Sequence, residues 1–209
     1  MFIKCLKVGP LPTNCYIVCD TAAAATVIID PGAEPERILA ALEETGCTAK
    51  FVLLTHGHAD HMSAANEVAA KTGAKLCVPD GDKKLINKPA LNCYEMLFRS
   101  NFVPLRPDII LHDGETITFG NTELRVLATP GHTEGSVCFM SADSMFSGDT
   151  VFKEGVGRTD LPSGSSQKLM ASLKRISEID GDMQLLPGHG EFSTLLHEKA
   201  NNPYFNLGA

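Results

Sequence analysis

The chain has 209 residues, of which 44% are hydrophobic and 21% charged, and a formal net charge of -7. That length and balance suit one large domain with a substantial core and exclude the low-hydrophobicity, high-charge regime of disorder. The acidic balance argues against nucleic acid and anionic membrane surfaces as partners, since both attract clustered Lys and Arg.

In chain order, residues 2–8, 14–19 and 26–29 read as strands of a meander, joined by Gly9-Pro10-Leu11-Pro12 and by residues 22–25. Residues 34–45 place Ile38, Leu39 and Leu42 at helical spacing and end at Gly46, a helix with a glycine stop. Phe51-Val52-Leu53-Leu54 is a short apolar strand that runs straight into Thr55-His56-Gly57-His58-Ala59-Asp60-His61, after which 63–72 is helical. A strand over 75–78 precedes a mostly helical excursion over 82–99, broken at Pro89 because a proline ring disrupts a helix interior. From Ile109 onward strand-like segments return at 116–119, 122–128, 136–140 and 144–146, separated by Asp-Gly, Gly-Asn and Pro-Gly turn signals. Residues 165–179 form a helix with Leu169, Leu173 and Ile176 on one face, followed by a strand at 184–186 and a short helix from Glu191. Two runs of strands, each finishing in helices, predict an α/β chain folded as a four-layer αββα sandwich, a single domain over 1–209.

No apolar run reaches the roughly 18 residues of a membrane span, and Met1-Phe2-Ile3-Lys4 lacks a secretory pattern, so a cytoplasmic location is the expectation. Seven cysteines form no CxxC pair, and Cys77 and Cys138 sit inside apolar runs. Reduced core thiols are expected, with Cys15 and Cys19 too far apart along a strand for a disulfide.

Five of the seven histidines lie in short polar motifs, each following an apolar segment: His56-Gly57-His58-Ala59-Asp60-His61, Pro130-Gly131-His132 and Pro187-Gly188-His189. An isolated histidine is ordinarily a surface or satisfied core residue, and His112 and His197 take that reading. Three imidazoles and a carboxylate within six residues are different, because without a cation they repel or stay unpaired. His56 and His58, at i and i+2 of an extended segment, point to one side and can clamp one ion, while Asp60 and His61 face a neighbouring position. Asp149, in Phe146-Ser147-Gly148-Asp149-Thr150, is the candidate bridging carboxylate.

The set His-x-His-x-Asp-His, Gly-His132-Thr, Gly-Asp149-Thr and Gly-His189-Gly resembles the metallo-β-lactamase superfamily, in that family's order. The resemblance implies the αββα fold and two divalent ions, zinc being the expected metal and iron or manganese compatible with the same ligands. It assigns His56, His58 and His132 to the first ion, Asp60, His61 and His189 to the second, and Asp149 to both. It also makes Asp30 a support behind the ligands. Asp149, in place of the cysteine of zinc-cysteine lactamases, together with Gly157-Arg158-Thr159-Asp160-Leu161-Pro162, is similar to the glyoxalase II branch. Gly9-Pro10-Leu11-Pro12-Thr13-Asn14-Cys15-Tyr16 and Asn202-Pro203-Tyr204-Phe205 look like its short bacterial form, the hydroxyacylglutathione hydrolases.

That branch implies hydrolysis of a small thioester such as S-lactoylglutathione by metal-bound hydroxide, with Asp60 orienting the nucleophile. It also implies Arg158 as partner of a glutathione carboxylate, whereas the residues alone read equally well as an Arg158–Asp160 loop clamp. The rival is a mononuclear iron persulfide dioxygenase, which shares His-x-His-x-Asp-His and a Gly-Arg-Thr-Asp segment. A superfamily nuclease is disfavoured by the acidic balance. Oligomeric state has no signature in the sequence.

Overall fold

Strand parity decides the layering. The structure, a computed structural model, describes residues 1–98 and 101–205. The first sheet is built from β1 (Phe2–Val8), β2 (Thr13–Asp20), β3 (Ala25–Ile29), β4 (Thr48–Leu53), β5 (Lys75–Pro79) and β6 (Ile109–Leu111), in that spatial order. Its first three strands are an antiparallel meander, and β3 to β6 run parallel. Helices α1 (Pro35–Glu43), α2 (Ala59–Met62), α3 (Ala65–Thr72) and α4 (Tyr94–Leu97) lie in the connections.

The second half supplies β7 (Thr116–Phe119), β8 (Thr122–Ala128), β9 (Val137–Met140) and β10 (Ser144–Gly148), again an antiparallel meander. A small hairpin follows, β11 (Val151–Phe152) with β12 (Gly155–Val156). Helix α5 (Ser166–Ser177) then crosses to β13 (Gln184–Pro187), which pairs parallel with β10, and β14 (Ser193–Thr194) and α6 (Leu195–Asn201) close the second layer pair.

Alternate side chains of β2 point to opposite faces, so Tyr16 and Val18 enter the core between the sheets while Cys15, Ile17 and Cys19 face outward. The inner core joins Tyr16, Val27, Ile29 and Leu53 of the first sheet to Phe119, Val126, Phe139 and Phe146 of the second. Cys15, Ile17, Ile28 and Val52 pack outward on Ile38 and Leu42 of α1 and Val68 of α3. Cys138, Met145 and Leu185 pack outward on Leu169, Leu173 and Ile176 of α5. Three apolar interfaces separate four layers, which is the αββα sandwich.

The segment expected to be helical over 82–99 departs from that reading. It holds single 3-10 turns at Asp80–Asp82 and Leu85–Asn87 and one helical turn, α4, while residue 99 lies outside the described residues. Besides Pro89, Cys93 has φ 66°, a left-handed conformation that no right-handed helix can continue through. Strand β6 joins the first sheet beside β5. The last helix begins only after β14, where the Thr194 side chain caps it by accepting from His197 N. All seven cysteines are free thiols, but Cys5, Cys47 and Cys93 are half-buried rather than core residues. Among the described residues no helix is long and apolar enough to cross a membrane.

Candidate metal centre

Every candidate ligand leaves the carboxyl end of a strand at one edge of the sandwich, the edge where open α/β sheets bind ligands. Asp30 follows β3, His56 to His61 follow β4, His132 follows β8, Asp149 follows β10 and His189 follows β13. His56, His58 and His132 present ligand atoms within 4.8 Å of one another, as do Asp60, His61 and His189, and as do His56, His61 and Asp149. Asp149 lies between the two triads: Oδ2 is 3.5 Å from His132 Nε2 and 3.6 Å from His189 Nε2, and Oδ1 is 3.4 Å from His61 Nε2. All seven residues expected at the site therefore converge. A Cβ on Gly188 would stand 2.3 Å from Asp149 Oδ1 and 2.6 Å from His61 Cε1, which explains the glycine before His189.

The hydrogen bonds behind the rings fix their tautomers. Thr55 Oγ1 donates to Asp30 Oδ2 at 2.7 Å, so its single hydrogen is committed. His56 Nδ1, 3.1 Å from that hydroxyl oxygen, must then donate to it, leaving a lone pair on Nε2. His61 Nδ1 donates to Asp30 Oδ2 at 2.9 Å, and His132 Nδ1 donates to the Arg158 carbonyl at 2.7 Å. Three Nε2 lone pairs thus turn inward. His189 is held more loosely, its Nδ1 3.4 Å from the Pro12 carbonyl.

Such an arrangement asks for positive charge. Among the described residues four buried side-chain N or O atoms lack a hydrogen-bond partner, and three of them are His56 Nε2, His58 Nε2 and Asp149 Oδ1. Burial and the surrounding imidazoles drive the His56 pKa well below its ordinary value, and burial with His132 takes His58 to about 3. Burial also opposes the charging of His61, but Asp149, Asp60 and Asp30 outweigh it and raise His61 to about 10. A proton drawn onto His61 stands where a cation would satisfy the same carboxylates. The donor set, imidazole nitrogens and carboxylate oxygens aimed at one another, fits divalent metal ions.

Asp30, 1% exposed, reaches both triads, through Thr55 to His56 and directly to His61, while its Oδ1 accepts Thr55 N at 2.7 Å. Arg158 sits at the rim of a cavity of about 460 Å³ that opens over His58, Asp60, His132, Asp149 and His189. Its guanidinium is held bidentately by Asp160 at 2.7 Å, so the clamp reading of Arg158 is the one present. Leu11, Met96, Leu97, Phe152, Val156 and Leu161 make the remaining wall largely apolar. His112 is exposed, and His197 is half-buried against Glu154 at 3.0 Å.

Sequence reasoning passed over four supporting residues. Asn14 Nδ2 and Tyr16 Oη both donate to the Pro187 carbonyl, at 2.9 and 2.6 Å, and Asn14 N donates to Gly188 O at 2.7 Å. These bonds tie β2 to the loop carrying His189. Thr55 was readable, being adjacent to His56. The buried Asp82 was not, lying 25 and 53 residues from the groups it contacts.

Residues 8–189 match the family model described as "Metallo-beta-lactamase superfamily". The hydroxyacylglutathione hydrolase GloC of Haemophilus influenzae is 31% identical over 99% of each chain. Among solved structures, the BLEG-1 B3 metallo-beta-lactamase superposes with a TM-score of 0.90 at 30% identity, covering 98% of this chain and 99% of that one. TTHA1623, in a di-iron-bound form, gives 0.81 at 33% identity over 96% and 99%. With the fold, the convergent His and Asp cluster and these likenesses in hand, the chain belongs to the metallo-beta-lactamase superfamily.

Proposed function

We propose that the chain is a dinuclear metal-dependent hydrolase of small thioesters of the acyl-glutathione type, carried by one domain over 1–209. The observation that carries the reading is the pair of triads, His56 with His58 and His132, and Asp60 with His61 and His189, with the Asp149 carboxylate between them. The likeness to GloC supports the thioester class, and the di-iron form of TTHA1623 keeps iron beside zinc as a candidate metal. Divalent cations supply Lewis acidity and lower the pKa of water towards neutrality.

The chain's own groups do the rest. Burial opposes ionisation of Asp60, but His61 and His189 hold its carboxyl well below the usual carboxylate range. Asp60 is therefore an acceptor at working pH, and its Oδ2, 3.2 Å from His189 Nε2 at the cavity floor, orients the attacking water. The departing thiolate needs little protonation, having an ordinary pKa of about 8.5. The apolar wall takes the acyl group, and Arg158 at the rim meets a carboxylate on the thiol side by drawing away from Asp160.

Metal content by mass spectrometry, measured with hydrolysis of S-lactoylglutathione and of a chromogenic cephalosporin, tests the reading. About two equivalents of metal with thioester turnover support it; cephalosporin turnover alone refutes the substrate class. A second reading, a mononuclear iron oxidoreductase of the persulfide dioxygenase kind, is favoured by the two-histidine, one-carboxylate set of His56, His61 and Asp149. One iron per chain with oxygen uptake on glutathione persulfide would replace the hydrolase by that reading.

A further inference from the structure

Asp82 is fully buried on the 3-10 turn after β5 and bears no ligand atom of the centre. Its Oδ2 accepts Gly57 N at 2.8 Å and Thr133 Oγ1 at 2.7 Å, and its Oδ1 accepts Gly135 N at 2.9 Å. Gly57 stands between His56 and His58, and Thr133 follows His132. One carboxylate thus joins the two loops that carry the first triad.

The contact is built at backbone level. A Cβ on Gly57 would lie 3.2 Å from Asp82 Cβ, one on Gly135 2.3 Å from Asp82 N, and one on Gly81 2.6 Å from Gly135 Cα. Three glycines clear the space in which the Asp82 turn seats against both loops. Only an ionised carboxylate suits three donors, since it accepts at both oxygens and donates nothing. An asparagine would turn its amide on Gly135 N or on the Gly57 and Thr133 donors, leaving a buried N–H without an acceptor. Across the joint, His58 Nδ1 and His132 Nε2 stand 2.9 Å apart, a separation that a small slip between the loops would alter.

We infer that Asp82 is a positioning residue that sets the spacing of His56, His58 and His132 by clamping their two loops together. The inference rests on the metal reading proposed above. Zinc(II) affinity, measured by competition with a chromogenic chelator, tests it on Asp82→Asn, Thr133→Val and Asp20→Asn. Asp20 is the control, a carboxylate that accepts Asn121 N and Ala23 N at the opposite edge of the sandwich.

Asp82→Asn is expected to weaken the tightest zinc by about 10- to 100-fold, the usual cost of losing a group behind a ligand. Thr133→Val, which removes one neutral donor, is expected to cost about 2- to 10-fold. Asp20→Asn should bind zinc as the wild type does, even with a lowered melting temperature. Wild-type affinity in Asp82→Asn, or an equal loss in Asp20→Asn, overturns the inference. If Asp82→Asn does not fold, Thr133→Val carries the test, and its wild-type affinity overturns the inference. A wild-type protein that holds no divalent metal removes the metal reading itself.

Discussion

Replacing Asp30 by asparagine isolates the hydrogen bonds behind the centre from every other variable. Asp30 has φ 53°, and asparagine tolerates the left-handed region as aspartate does, so the backbone is undisturbed. With its oxygen at the Oδ2 place, the amide keeps Thr55 Oγ1 and His61 Nδ1 but sets an N–H against Thr55 N; with its oxygen at the Oδ1 place, it keeps Thr55 N but sets an N–H against both other donors. In the second orientation His61 loses its acceptor. Thr55 then pairs with the new donor by accepting from it, which frees its own hydrogen to turn toward His56 Nδ1. Either way one substitution leaves a buried donor facing a donor directly behind His56 and His61, a ligand candidate in each triad.

Loss of a group behind a ligand typically costs about 10- to 100-fold in metal affinity, equivalent to about 1.4 to 2.8 kcal/mol. The less costly orientation keeps both histidine-side bonds, so the lower end is expected. Zinc competition against a chromogenic chelator, with circular dichroism as the check on folding, measures it. Folded Asp30→Asn protein that holds zinc as tightly as the wild type would refute the role given to Asp30.

Gly188→Ala would press a methyl group against Asp149 Oδ1 and His61 Cε1, and should abolish binding of at least one metal equivalent, read by mass spectrometry. Phe146→Ala empties the inner core beside Tyr16, whose ring lies 5.2 Å away edge-on, and should cost about 3 to 5 kcal/mol in urea unfolding. A loss below about 1 kcal/mol would contradict the packing between the sheets. Asp160→Ala frees Arg158 from an exposed pair, so KM for an anionic thioester should fall by less than about 5-fold with metal content unchanged. Arg158 holds the Asp160 carboxyl down to about 2. With a depressed folded pKa, the pair is fully formed above the unfolded carboxylate value of about 3.9 and is lost only as pH falls through about 2. The KM of the wild type should therefore not move between about pH 5 and 9 through this pair.

The chemistry of the centre was legible because it is local. His56, His58, Asp60 and His61 fall within six residues, and His132, Asp149 and His189 each sit beside a glycine after an apolar strand. The layering was legible because strand parity writes both buried faces into one segment, as in Cys15-Tyr16-Ile17-Val18-Cys19. The stretch after β5 departs from its helical pattern because Cys93 is left-handed and because Cys93, Met96 and Leu97 are placed on the wall of the cavity. Arg158 was left between two roles, since an exposed guanidinium carries no pattern that names its partner.

By itself, then, the sequence determined which side chains could bind metal and which faces of the strands are buried. The family resemblance had already set Asp30 behind the ligands; only the tertiary structure decided which groups it holds, Thr55 and His61, and what else stands there: Asp82 across the two histidine loops, Asn14 and Tyr16 on the Pro187 carbonyl. The physical reason is that ligand type is a property of one residue, whereas a buried hydrogen bond belongs to a pair. When its partners lie 25 to 173 residues apart, neither one's neighbours in the chain betray the other.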